Sequence, residues 1–169
     1  MASLPSLAVP SPQGMIGLGE RIGRRLFEGA VIGLSGPLGA GKTTLVRGIA
    51  AGMGIDEGYI VSSPTYTVLQ VYPCGRKELF HLDLYRVQGP EDLDSTGYRE
   101  GMGKGRVLVI EWVEKIPSAL PPEHLGIIIE YDEGGRLVRF LPQGEKYMTL
   151  ALGLFRDLGT TVDTGKGGC

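Results

Sequence analysis

Gly36-Pro-Leu-Gly-Ala-Gly-Lys-Thr43 has the GxxxxGK(S/T) spacing of a phosphate-binding loop, and this motif indicates the fold class most strongly. It follows the short apolar run Ala30–Ser35, which is typical of a strand buried on both faces of a parallel sheet. Beyond it, Leu45, Ile49 and Met53 recur every four residues and predict an amphipathic helix. This order predicts an α/β fold of the P-loop NTPase type, three-layered, with a mainly parallel central sheet plus antiparallel hairpin strands.

The residues of the loop have a specific chemistry. Glycines let consecutive backbone N–H groups turn inward around phosphate oxygens, and the next helix presents its positive N-terminal end to the same phosphates. Lys42 supplies a point charge for the β- and γ-phosphates, and the Thr43 hydroxyl is placed to hold Mg²⁺. The motif therefore predicts a site for a nucleoside triphosphate with magnesium; the alternative is a glycine-rich turn that binds nothing.

The rest of the chain adds strands of two kinds. Val107–Ile110 is a second short apolar run and predicts another buried strand. Thr67–Tyr72 and Glu78–Leu84 are alternating or β-branched runs on either side of a Pro/Gly turn, and they predict an antiparallel hairpin. Leu125–Tyr131 and Leu137–Leu141 flank an acidic Gly-Gly turn and predict a second hairpin.

Composition along the chain divides it into three parts. The proline-rich residues 1–10 predict a flexible leader, and Ser11-Pro12 predicts the N-cap and first residue of a helix. Residues 11–144 carry the patterns of one P-loop ATPase domain. Residues 145–169 predict a C-terminal extension that is partly disordered, in which Thr149–Leu158 has the pattern of a short helix.

Overall composition narrows the class of protein. A net charge of −2 and a pI of about 5.7 argue against nucleic-acid binding by this chain alone, which usually needs a basic surface. Cys74 and Cys169 lie far apart and form no disulfide framework, which favours a reducing, cytoplasmic compartment. No apolar run approaches the ~18 residues of a membrane span.

Two acidic residues follow predicted strands, where ligands of open α/β sheets collect. Glu111 comes directly after four apolar residues and is the candidate for a magnesium ligand. Asp83 ends the run Phe80-His-Leu-Asp83 and is the candidate for orienting or deprotonating the attacking water, or for joining the outer shell of the metal. Each could also be only a solvated residue at a strand end.

Other polar and aromatic residues leave two interpretations open. Ser63-Pro-Thr65-Tyr66 could sense the γ-phosphate, as switch loops do, or form a plain turn. Trp112 could pack beside the base or fill the core. We interpret His81 as structural and Arg86 as a surface residue.

Four motifs together resemble the TsaE (YjeE) family of small bacterial ATPases. They are Leu38-Gly-Ala-Gly-Lys-Thr-Thr44, Ser63-Pro-Thr-Tyr66, His81-Leu-Asp-Leu-Tyr-Arg86 and Ile110-Glu-Trp112. They occur in the order and at the spacing of the family, and the resemblance covers about residues 11–142. The loop motif is shared by a large superfamily, whereas the combination of all four is much more particular.

The resemblance implies functions that composition does not reach. Members of the family hydrolyse ATP, slowly when alone, and are needed with TsaD and TsaB to make N6-threonylcarbamoyladenosine in tRNA, so tRNA is met through the complex. The resemblance implies Mg²⁺ binding at Thr43 and Glu111, and catalytic roles for Asp83, Glu111 and Lys42. The implied nucleotide contacts are Ser11, Leu38, Gly39, Ala40, Gly41, Lys42, Thr43, Thr44, Thr65 and Trp112.

Two other functions remain open at this point. A small-molecule kinase would suit the size of the chain, with the glycine-rich basic stretch 98–106 as a short lid. A binding module that is gated by nucleotide and does not hydrolyse it would keep the loop but need no catalytic acid.

Overall fold

The computed structural model describes residues 4–160 and 162, and this part of the chain folds into an α/β structure. It contains three short 3-10 turns, at Tyr98–Met102, Val113–Lys115 and Pro117–Ala119. Its strands and α-helices are, in chain order, β1 (Leu7–Val9), α1 (Pro12–Gly23), β2 (Val31–Ser35), α2 (Lys42–Met53), β3 (Leu69–Cys74), β4 (Lys77–Asp83), α3 (Pro90–Asp94), β5 (Arg106–Glu111), β6 (His124–Asp132), β7 (Gly135–Gln143) and α4 (Glu145–Asp157).

The strands form one sheet in the order β1-β7-β6-β2-β5-β4-β3. The four central strands, β6, β2, β5 and β4, are parallel, while β1, β7 and β3 pair antiparallel. This arrangement confirms the predicted fold class and both predicted hairpins. Because β4 and β5 are parallel neighbours in the register Asp83↔Glu111, the two acidic residues lie side by side at one edge of the sheet.

Both faces of the sheet are covered. Along β5, Val107 and Val109 enter the core under α1, α2 and α4, whereas Leu108 and Ile110 enter the core on the other face, under α3 and the 3-10 turns. Alternate side chains of a strand point to opposite faces, so a strand covered on both sides is apolar throughout. That is why β5 appears in the sequence as a continuous apolar run.

Helices α1 and α2 pack unusually closely through glycines. A Cβ atom at Gly48 of α2 would lie 2.2 Å from the carbonyl oxygen of Ile16 in α1, and one at Gly19 would lie 2.4 Å from the carbonyl oxygen of Leu45. A Cβ atom at Gly23 or at Gly52 would likewise lie 2.2 Å from a backbone oxygen of the facing helix. These glycines, which weaken the helices as isolated segments, are required where the two backbones meet.

Some described residues near each end of the chain lie in a strand or a helix where the sequence does not predict one. Leu7–Val9, inside the predicted flexible leader, pair with β7 at Val138–Arg136, and Val9 is buried. Three residues are too short for a strand pattern to be recognised, so only the partner strand fixes them.

Helix α4 is longer than the predicted Thr149–Leu158 helix, since it begins at Glu145, and it buries Leu150 and Leu154 in the core. Residues 1–3, 161 and 163–169 lie outside the described residues, and the three-part division of the chain remains a prediction. Among the described helices, none has the length and apolar character to cross a membrane.

Candidate nucleotide-binding site

The phosphate-binding loop connects β2 to α2, as the sequence predicts. It turns at three glycines with positive φ: Gly36 at 149°, Gly39 at 75° and Gly41 at 113°. A Cβ atom at Gly36 would lie 2.3 Å from the carbonyl oxygen of Ile129, so no other residue fits there. Gly41 is the N-cap of α2, whose first residue is Lys42. The free amides at the start of this helix therefore face the concave side of the loop.

Lys42 is buried against its own loop. Its Nζ atom donates to the carbonyl oxygens of Gly36, at 2.6 Å, and Pro37, at 3.0 Å, and lies 3.7 Å from the centroid of the Trp112 ring. Burial lowers the pKa of Lys42 from its usual 10.5, and the nearby carboxylates, Glu111 foremost, oppose that shift. The ammonium group is thus held inside the loop, at the position where phosphate charge would be neutralised.

Thr43 and Glu111 meet across the site. The Thr43 hydroxyl lies 2.9 Å and 3.1 Å from the two carboxylate oxygens of Glu111, and both residues come from predicted positions. Nε2 of His81 lies 2.7 Å from Glu111 Oε1, with the His81 side chain fully buried. His81 therefore helps to orient the carboxylate through Oε1, while the Thr43 hydroxyl contacts both carboxylate oxygens.

Asp83 is held by the loop that contains the Ser63-Pro-Thr65-Tyr66 motif. Ser63 Oγ donates to Asp83 Oδ2, and Thr65 Oγ1 donates to the same oxygen at 3.3 Å. The backbone N–H of Tyr85 donates to Oδ1 at 2.8 Å, so both oxygens of the carboxylate are positioned. The loop ends at Val68, whose φ of 68° is a strained value for a β-branched residue and whose carbonyl accepts from the Asp83 N–H at 2.8 Å.

Trp112 follows Glu111 in a left-handed backbone conformation, with φ of 59°. The turn directs its ring into the site, where it lies 5.1 Å from the ring of Tyr85, centroid to centroid. Trp112 is half-buried: it packs against the core under α3 and the 3-10 turns and also lines the cleft at the site, so it contributes to both. A cleft of about 460 Å³ brings most predicted site residues together; its lining is Leu38, Gly39, Ala40, Gly41, Lys42, Thr43, Thr44, Ser63, Thr65, Asp83, Tyr85, Glu111 and Trp112.

Ser11 lies on the other side of the loop. Its hydroxyl caps α1 by accepting from the Gly14 N–H at 3.0 Å, as predicted. It also lines a smaller cavity of about 160 Å³, together with Met15, Thr44 and Arg136. The loop residues Gly39, Ala40, Gly41 and Thr44 line both this cavity and the larger cleft. A ligand in the cleft could therefore extend past the loop to Ser11.

Comparison with known proteins identifies the family of this chain. The family model described as "Threonylcarbamoyl adenosine biosynthesis protein TsaE" matches residues 9–138. The chain belongs to the TsaE family. Relatives named "tRNA threonylcarbamoyladenosine biosynthesis protein TsaE" include those of Treponema pallidum, 41% identical over 79% of this chain and 90% of the relative, and Bacillus subtilis, 40% identical over 76% and 79%. The crystal structure of Bacillus subtilis YdiB has a TM-score of 0.76 at 32% identity, covering 93% of this chain and 97% of that one.

Several residues at the site of this TsaE-family protein had no signal in the sequence. Glu114 lies behind the loop, with Oε1 3.4 Å from the Gly36 N–H. Tyr131 and Arg136 contact the outside of the loop from the β6–β7 hairpin. Lys115 donates to the carbonyl oxygen of Tyr85. Tyr131 and Arg136 reach the site through tertiary packing, whereas Glu114 and Lys115 lie in the 3-10 turn that directly follows Trp112.

The predicted basic lid at 98–106 is not at the site. Arg106 begins β5 and Glu111 ends it, so the stretch lies at the opposite edge of the sheet. Tyr98 is buried there, and Gly101 packs against the Phe80 ring. Arg86 is exposed and stacks over the ring of Tyr66, with its guanidinium carbon 4.2 Å from the ring centroid, in keeping with a surface residue. In this TsaE-family chain, the stretch 98–106 therefore gives no support to a kinase lid.

Proposed function

We propose that this protein is a magnesium-dependent ATPase that acts with TsaD and TsaB in the formation of N6-threonylcarbamoyladenosine in tRNA. The single observation that carries the proposal is the contact between the Thr43 hydroxyl and the Glu111 carboxylate, at 2.9 Å and 3.1 Å, beside the phosphate-binding loop. Family membership supports the pathway, since the relatives are named for it. The partners follow from the family resemblance, and tRNA would be held by them.

The residues present fit a magnesium ion. Mg²⁺ prefers a few carboxylate or hydroxyl oxygens together with phosphate oxygens and waters, rather than a cage made only of protein ligands. Within the described residues, no three His, Cys, Asp or Glu side chains group into such a cage, while Thr43 and Glu111 offer the hydroxyl and carboxylate oxygens. When bound there with nucleotide, the ion would neutralise charge on the β- and γ-phosphates.

The proposed nucleotide site uses both sides of the loop. The amides of the loop and of the first turn of α2 would bind phosphate oxygens, and Lys42 would add its charge. Trp112 stacks beside Lys42 and narrows the cleft around the phosphates. We assign the base and sugar to the smaller cavity beside Ser11 and Thr44. This cavity adjoins the cleft for the phosphates, because the same loop residues line both.

Asp83 is the residue proposed to act on the attacking water. Its carboxylate is nearly fully buried, yet its two oxygens are held in a fixed direction at the wall of the cleft by Ser63, Thr65 and the Tyr85 N–H. A carboxylate held in this way positions a water and accepts its proton. Glu111, which contacts Thr43, would instead hold the magnesium ion.

The experiment that tests this function measures ATP turnover by the purified protein, alone and with TsaD, TsaB and tRNA. The proposal predicts slow turnover alone, stimulation by the complex, and loss of both in Glu111→Gln. An absence of stimulation at saturating ATP would contradict the assigned role. Full support of tRNA modification by a Glu111→Gln variant that binds ATP without hydrolysing it would favour the nucleotide-gated binding module.

A further inference from the structure

The β6–β7 hairpin contacts the outer side of the phosphate-binding loop through hydrogen bonds. Tyr131 and Arg136 are paired in register near its tip, and the guanidinium of Arg136 stacks on the Tyr131 ring at 4.4 Å from the centroid. The Tyr131 hydroxyl donates to the Leu38 carbonyl oxygen at 2.5 Å. Arg136 donates from Nη2 to the carbonyl oxygen of Gly39 at 3.2 Å and from Nε to that of Ala40 at 2.9 Å. We call these two side chains the hairpin clamp.

The three carbonyl groups held by the clamp are consecutive, so their directions fix those of the N–H groups that follow them in the chain. In a trans peptide the C=O of one residue and the N–H of the next point in opposite directions, and the described part of the chain has no cis peptide bond. Holding the Leu38 carbonyl outward therefore turns the Gly39 N–H inward, and holding the Ala40 carbonyl outward turns the Gly41 N–H inward. Both glycines line the cleft.

The loop cannot hold this arrangement by local preference alone. Gly39 and Gly41 both have positive φ, and glycine has the widest conformational freedom of any residue, so a free loop would populate many orientations of these amides. The clamp is anchored to a three-stranded antiparallel segment, because Arg136 on β7 also pairs with Val9 on β1. A Cβ atom at Gly135 would lie 2.5 Å from the Val9 carbonyl oxygen, so the anchor is closely packed.

The geometry points to Tyr131 and Arg136 as positioning residues for phosphate binding: they fix the carbonyls of Leu38, Gly39 and Ala40 outward and thereby keep the Gly39 and Gly41 amides directed at the phosphates before the nucleotide arrives. The inference rests on the proposed nucleotide site. Pre-organisation of this kind raises affinity because ligand binding no longer has to order the loop. Tyr131 lines neither cavity, so it acts through the loop and not by touching the nucleotide. Arg136 also lines the smaller cavity assigned to the base and sugar, so its positioning role is tested in the protein without nucleotide.

Calorimetric titration with Mg·ADP and Mg·ATP tests the clamp in Tyr131→Phe, Arg136→Ala and the double variant. Tyr131→Phe keeps the ring and removes one hydrogen bond to the loop, so it should weaken binding of both nucleotides about fivefold. Arg136→Ala removes two hydrogen bonds to the loop and one to the Gly135 carbonyl oxygen, all from a charged donor, and should weaken binding about twentyfold. The double variant should lose less than the product of the two factors, since both side chains order the same loop. The matched control is Arg139→Ala, which removes the same charge from the same strand but pairs only with Glu130, at 2.6 Å.

A second measurement needs no nucleotide and separates positioning from overall stability. In the protein without nucleotide, the NMR order parameters of the Gly39 and Gly41 amides should stay at about 0.85 in Arg139→Ala and fall to about 0.6 in Arg136→Ala. The other amides of β6 and β7 should stay rigid in both variants. Unchanged order parameters in Arg136→Ala, or affinities of the clamp variants equal to that of Arg139→Ala, would overturn the inference. Failure of the wild-type protein to bind either nucleotide would instead overturn the proposed function, with the order parameters still testing the clamp.

Discussion

Replacing Gly48 with alanine should destabilise this protein, although the same change usually stabilises a helix. Gly48 lies in the interior of α2, where alanine normally gains about 0.5–1 kcal/mol over glycine. Here the new Cβ atom would lie 2.2 Å from the Ile16 carbonyl oxygen, 2.9 Å from Gly19 Cα and 3.0 Å from the Ile16 carbonyl carbon. All three are backbone atoms of α1, so no side-chain rotation relieves the contact.

The size of the effect follows from how far the helices must separate. An ordinary contact at this Cβ begins at 3.4 Å, so α1 and α2 must move apart by about 1 Å along a tightly packed interface. Overpacking of this kind costs about 1–3 kcal/mol, which exceeds the gain in helix propensity. We therefore expect a net loss of about 1–2 kcal/mol in the free energy of unfolding, or a melting temperature lower by about 3–6 °C for a chain of this size.

Gly17→Ala is the matched control for this prediction. Gly17 lies in α1, and a Cβ atom there would meet nothing within 4 Å. It should gain the full propensity term of about 0.5–1 kcal/mol and raise the melting temperature by about 2–3 °C. Urea unfolding followed by far-UV circular dichroism measures both variants. A Gly48→Ala protein as stable as the wild type or the Gly17→Ala protein would refute the packing argument.

Three further predictions concern single side chains. Lys42→Ala should weaken Mg·ATP binding by about two orders of magnitude, because it removes the buried charge from the phosphate site; unchanged affinity in calorimetry would contradict this role. Asp83→Ala should lower the turnover number by a larger factor than it raises the dissociation constant of ATP, since a residue that positions water acts mainly in the transition state. Burial raises the pKa of Cys74 from 9.0 to about 11, so its thiolate fraction near pH 8 should be about a hundredfold below that of an ordinary thiol. In a Cys169→Ser background, a thiol reagent should therefore react with Cys74 only after unfolding. Rapid reaction of the folded protein would contradict this prediction.

The parts of the site that come from contiguous motifs could be predicted from the sequence. The loop, its flanking strand and helix and the Ser11 cap depend on local rules for glycine, periodicity and capping. The sequence predicts Glu111 and Asp83 as candidates because each ends a predicted strand, and parallel strands bring their carboxyl ends together. Their side-by-side register is what turns two separate candidates into one site.

The rest depends on contacts between distant segments. His81 has the pattern of a core residue, and only the pairing of β4 with β5 brings its Nε2 atom to Glu111. Tyr131 and Arg136 lie more than 90 residues beyond the loop residues that they contact, in a hairpin that the sequence predicts without indicating any contact with the loop. The glycines of α1 and α2 lower the helix propensity of each helix alone. They are required because the two helix backbones approach each other too closely for a Cβ atom, and the sequence does not show this contact.

The most direct test of the account measures how strongly magnesium enhances ATP binding, in the wild type and in Thr43→Ala. The Thr43 hydroxyl and the Glu111 carboxylate, in contact at 2.9 Å, are the groups proposed to hold the magnesium ion that binds with ATP. Titration of ATP with and without Mg²⁺ should show a large enhancement in the wild type and almost none in Thr43→Ala, with metal-free binding preserved. The same enhancement by Mg²⁺ in both proteins would contradict the account.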